Sequence, residues 1–113
     1  MNPNPELVIS KAPGAGYFLN IYDHRDEVIE FFESEDLQGG GPTWLGLITA
    51  AFELDGNNSL ELMEMDDEGD GLLISCETEQ PLTTVVSYVN RMLAEPGFMR
   101  ACIEKGLDAD YLE

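Results

Sequence analysis

Four acids fall in a spacing that could grip a divalent cation. Asp66, Glu68 and Asp70 alternate, Gly71 follows and Glu77 lies six residues further on, the order of carboxylates and glycine in a calcium loop of the EF-hand type. Such a loop encloses its ion when one helix enters it and another leaves. Here Leu72, Ile74 and Cys76 alternate with Leu73, Ser75 and Glu77 at the period of a half-buried strand, and Pro81 would interrupt a helix leaving Glu77. Glutamate also stands at the third loop position, where Asp or Asn is usual. The segment is therefore read as an acidic hairpin turn, with a calcium-responsive binding module over residues 66–77 as the alternative.

Other chemistry has less behind it. The single histidine, His24, sits in Asp23-His24-Arg25-Asp26 at a helix start, where imidazole serves as a surface or capping group. Ser10, Ser34, Ser59, Ser75 and Ser87 have no nucleophile-elbow context, and neither cysteine has a basic neighbour to activate it. Carboxylate pairs cannot be singled out, because 23 acids in 113 residues supply many by chance. Gly39-Gly40-Gly41-Pro42-Thr43 precedes a helix as a phosphate cradle would, but it lacks the lysine and lies in a repulsive field. No catalytic residue, metal site or cofactor is assigned, and a protein other than an enzyme is expected.

Charge points to a partner instead. Between Asp26 and Asn90 run 65 residues with 16 acids and no lysine or arginine, which accounts for −16 of the net −18. The acids interleave with Val28, Phe31, Phe32, Trp44, Leu47, Ile48, Phe52, Leu72 and Ile74, so they clothe a folded core and do not form a disordered tail. A surface of that sign repels nucleic acid and anionic membranes and attracts basic proteins, although it also simply confers solubility. Met1 to Ile9 has neither a basic start nor an apolar run, and Trp44 to Phe52 is far short of the roughly 20 residues that cross a bilayer. A cytoplasmic protein is expected, with Cys76 and Cys102 as buried free thiols.

The elements that must carry these groups repeat in order. Glu6 to Ser10 and Tyr17 to Ile21 read as strands around the turn residues Lys11 to Gly16, and Ser59 to Met65 and Leu72 to Glu77 as a second hairpin around Asp66 to Gly71. Asp23 is placed as a helix N-cap, with Asp26 at the capping-box position and Val28, Ile29, Phe31 and Phe32 as the buried stripe of a helix ending near Glu35 to Leu37. The triplet Gly39-Gly40-Gly41 ends that helix, and Pro42 opens the next, apolar on nearly every side from Trp44 to Leu54. Pro81 opens a third, which buries Leu82, Val85, Val86, Val89, Met92 and Leu93; a short fourth, Phe98 to Lys105, closes at Gly106 with Leu107 as the apolar contact of the glycine cap. The order is ββααββαα. An α+β single domain over 1–113 follows, with an antiparallel sheet of about four strands, helices on one face and an acidic frayed tail at 107–113.

Gly39-Gly40-Gly41-Pro42-Thr43-Trp44-x-Gly46-Leu47, preceded by Tyr17 to His24 and followed by the Glu64 to Gly71 turn and by Pro96-x-Phe98-Met99-Arg100, resembles the immunity protein 51 family of bacterial polymorphic toxin systems. The similarity runs from Tyr17 to Gly106. It implies a small cytosolic protein that binds and neutralises a cognate toxin domain, and it transfers no catalytic residue. The charge suggests how: carboxylates cover a basic active-site cleft, such as that of a nuclease. The candidate contacts are Asp26, Glu30 and Glu33 on the first helix and Asp66, Asp67, Glu68 and Asp70 in the turn. Trp44, Gly41 and Gly71 are read as structural, with Trp44 in the core.

Overall fold

Local pairing builds two hairpins, and a long-range pairing joins them. The computed structural model describes residues 1–14 and 16–112; Ala15 and Glu113 lie outside the described residues. Strands β1 (Ser10–Ala12) and β2 (Gly16–Ile21) form one hairpin, and β3 (Met63–Asp67) and β4 (Leu72–Cys76) the other. The two inner strands pair antiparallel from Tyr17 opposite Cys76 to Ile21 opposite Leu72, giving a four-stranded sheet of order β1-β2-β4-β3. Helices α1 (Asp26–Ser34) and α2 (Gly40–Leu54) follow the first hairpin; α3 (Gln80–Ala94) and α4 (Pro96–Asp108) follow the second. This is the expected ββααββαα order and an α+β domain.

Alternation sorts the sheet into two faces. Leu19, Ile21, Leu72 and Ile74 point to the helices and are fully buried, each stabilising the fold by roughly 1.5–3 kcal/mol. On the opposite face Phe18, Ser75 and Glu64 stand in one cross-strand row and Asn20, Leu73 and Asp66 in the next, all exposed or half-buried. Helix α2 lies at the centre, as its uncharged run predicts, with Trp44 1% exposed and set edge-on against Phe32 at 5.3 Å. The expected face of α3 is buried at Leu82, Val85, Val89, Met92 and Leu93, with Val86 half-buried and Tyr88 added to it. Cys76 and Cys102 are both buried and free, and burial pushes the Cys102 thiol up to about 11.

Three helices end in one motif. After α1 the N–H of Leu37 returns to the Phe32 carbonyl and that of Asp36 to Glu33; Asn57 and Gly56 do the same to Phe52 and Glu53 after α2, and Tyr111 and Asp110 to Gly106 and Leu107 after α4. These are Schellman closures, which need a left-handed residue. Gly56 supplies it at φ 64°, but Asp36 at 60° and Asp110 at 62° do so without glycine.

The structure corrects several expectations. The first strand is Ser10–Ala12 and not Glu6–Ser10, because the Asn4 carboxamide and carbonyl accept the N–H groups of Glu6 and Leu7 and fold that stretch into a turn. Ser59 to Leu62 is a 3₁₀ turn, Asn58–Leu62, capped by the Asn57 side chain on the Ser59 N–H, so β3 begins only at Met63. Helix α2 begins within the glycine triplet, at Gly40. Asp23 is no N-cap, nor is Asp26 part of a capping box: Arg25 occupies the cap position without a side-chain cap bond. Helix α4 runs through Gly106 to Asp108, and Leu107 is exposed. Gly106 matters for a different reason: a Cβ there would lie 2.7 Å from Leu112 Cδ1 and displace that side chain, while one at Gly46 would lie 2.5 Å from the Tyr111 carbonyl oxygen. Residues 107–112 are therefore no frayed tail. They end α4 and wedge Leu112, 7% exposed, between two helices, while the Tyr111 hydroxyl donates to the Glu53 carboxylate.

Candidate functional site

The segment after β2 is fixed before any groove is formed. Asp23, its side chain 2% exposed, accepts from Arg25 Nε at 2.9 Å, from Arg25 Nη2 at 2.8 Å and from Asn4 Nδ2 at 3.1 Å. Burial alone would raise its carboxyl, but the Arg25 and Asn4 hydrogen bonds and the guanidinium charge prevail and hold it below the usual carboxylate range. His24 is thereby turned toward the second hairpin. It packs on Tyr22 with ring centroids 3.9 Å apart, and its Nε2 lies 3.3 Å from the Asp70 carbonyl, an acceptor that requires the proton on that nitrogen.

The β3–β4 turn is seated on the start of α2. Gly41 N–H donates to the Gly69 carbonyl at 2.8 Å, and a Cβ on Gly41 would collide with the Gly71 carbonyl and the Asp67 carboxylate. Only glycine allows that approach. Gly71 is buried against the Ile21 carbonyl and the Tyr22 ring. Asp67 Oδ1 accepts the Gly69 N–H at 2.8 Å, which closes the turn and sets a carboxylate beside the positive end of the α2 dipole.

Between α1 and this turn lies a groove of about 370 Å³. Ile29, Phe32 and Pro42 give it an apolar floor, and Glu33 of α1, Asp70 of the turn, His24 and the Arg25-paired Asp23 also line it. Ile29, expected in the buried stripe, is 37% exposed here, because α1 buries only Val28 and Phe32 fully. A floor of this kind receives the stem of a long cationic side chain while the walls meet its charge.

The seven candidate acids do not act as one cluster. Glu33 and Asp70 share the groove; Asp26 and Glu30 lie exposed on the same helix but do not line it. Glu68 is exposed at the tip of the turn. Asp66 stands on the helix-free face of the sheet beside Leu73, and Asp67 faces α2. What the seven share is the lack of a cation: among the described residues, arginine and lysine pair with Asp23, Glu27, Glu35, Glu53 and Glu95 instead. The sequence offered little sign of Ile29 and Phe32 as a floor, beyond Ile29 lying one turn before Glu33.

The calcium spacing is carried by the two strands of a hairpin. Glu77 follows Cys76, opposite Met63 at the far end of β4, about 17 Å along the strand from Leu72. Among the described residues no group of three or more His, Cys, Asp or Glu side chains is placed to hold a metal ion, and no helix is long and apolar enough to cross a membrane.

Fold and site together describe an α+β domain with a groove lined by apolar side chains and by Glu33 and Asp70. Compared with protein-family models, with curated proteins and with solved structures, the chain matches none.

Proposed function

We propose that this chain is an immunity protein of the bacterial cytoplasm, which binds a cognate toxin domain and neutralises it by occluding a basic active-site surface such as that of a nuclease. The observation that carries the reading is the groove: Glu33 and Asp70, from separate halves of the chain, line it together with apolar side chains, and neither has a cationic partner among the described residues. The sequence resemblance supplies the class of partner, and the −18 net charge supplies steering toward it. Inhibition needs no chemistry from this chain. A lysine or arginine of the toxin enters between Glu33 and Asp70 with its stem on Ile29 and Pro42, the exposed Asp26 and Glu30 extend the negative rim, and the toxin's substrate is excluded.

Co-expression with the toxin domain encoded by the adjacent gene tests this directly. Wild-type chain should restore growth, and the double variant Glu33→Lys, Asp70→Lys should fail to, while its melting temperature stays close to that of the wild type. Full protection by the folded double variant would move the interface away from the groove. Absence of binding by the wild type would end the immunity reading.

A further inference from the structure

We propose that the free edge of β3 is a second docking surface, one that takes a basic, amphipathic extended segment of another protein as a fifth strand. Strand β3 pairs with β4 alone among the strands, and the Met63 N–H turns back to the Leu60 carbonyl of the 3₁₀ turn, so the open edge runs from Glu64 to Asp67. A row of unpaired N–H and C=O groups is a template for another strand unless something blunts it. The opposite edge, β1, is only three residues long and is followed by Pro13; β3 has five residues and contains neither proline nor glycine. What guards it is charge.

The charge selects the occupant. Glu64 and Asp66 are exposed on the helix-free face, while Met65, on the other face, is only partly buried against the core. An added strand would therefore set alternate side chains beside two carboxylates and the others beside Met65, which suits lysine or arginine alternating with an apolar residue. A second copy is the poorer fit: antiparallel pairing centred on Met65 would place Glu64 of one copy opposite Asp66 of the other, and like charges so placed repel. Two contiguous hollows on this face share Glu64 and Ser75, one reaching Leu62 and Thr78 and the other Asp66 and Leu73, so long side chains find room along the strand. This edge lies apart from the groove of Glu33 and Asp70, and its occupant is independent of the toxin reading.

The probe is a blocked octapeptide of alternating lysine and valine, titrated into the full chain and followed by NMR and amide hydrogen exchange. The amides of Glu64 to Asp67 that face away from β4 should shift and exchange about tenfold more slowly in the complex, as backbone pairing protects them. The same peptide with glutamate for lysine should do neither. Glu64→Gln with Asp66→Asn should weaken binding by about twofold to thirtyfold, the range of two cross-strand ion pairs. The proposal is overturned if the peptide perturbs only α1 and the 68–70 turn, if β3 amides gain no protection at millimolar peptide, or if the double variant binds as tightly as the wild type. Sedimentation showing the wild type paired with itself through β3 would overturn it equally.

Discussion

Asp23 shows how one side chain can change its role between sequence and fold. At the sequence it has the type and position of an N-cap, and nothing local reveals that Asn4 and Arg25 converge on it. Its folded carboxyl lies below the usual range, so the stability it contributes is complete above the unfolded value near pH 4 and is lost as pH falls through the lower folded value. Asp23→Asn should therefore cost about 1.5–3 kcal/mol at pH 7, the worth of hydrogen bonds to a charged group, and the gap in urea midpoints between variant and wild type should narrow below pH 4. Trp44 was legible, since an uncharged helix has no face to give to water, and it is buried. Trp44→Ala should lower stability by about 3–5 kcal/mol in urea unfolding. Gly106 was legible only as a glycine. Its demand is for the space taken by Leu112, a contact that no pattern of φ preference announces.

Elements read well where periodicity is strong and poorly where side chains compete with it. The alternation of Leu72, Ile74 and Cys76 and the 3.6-residue spacing from Leu82 to Leu93 fixed β4 and α3 closely. Asn4 and Asn57 cap the neighbouring backbone and so displaced the starts of β1 and β3, an effect of asparagine chemistry that hydropathy does not register. The end of α1 fell where expected, beside Glu35 to Leu37, but that of α4 was harder, because Asp110 adopts the left-handed turn that glycine signals elsewhere. The β3–β4 hairpin bears on metal binding at this scale: with Glu77 at the far end of β4, the 66–77 spacing should gather no coordination sphere. Calcium at about 1 mM, a level that fills even weak extracellular modules, should leave the melting temperature unchanged. A one-to-one calorimetric titration with micromolar affinity, lost in Asp70→Ala, would show the hairpin to be wrong as a description of the loaded protein.

For the molecule as a whole, the acidic field was the clearest statement of the sequence, while the groove that concentrates it required the fold. Glu33 and Asp70 line one groove because the turn is seated on Gly41, a long-range contact with no local trace. If the field steers a basic partner, the association rate with the cognate toxin should fall steeply between about 50 and 500 mM salt, since exposed charges are screened beyond roughly 10 Å at 0.1 M. Stopped-flow mixing measures this, and a flat salt profile would reduce the acidity to a solubility trait. The sheet order β1-β2-β4-β3 carries a different consequence. Each ββαα half contributes one central strand, so neither can cover Leu19 and Ile21, or Leu72 and Ile74, without the other. A backbone cut at Gly56, exposed between α2 and the 3₁₀ turn, would thus yield two obligate fragments, each a folding template for its complement. Fused separately to two proteins of interest, they would act as a split reporter whose signal appears only when those proteins meet.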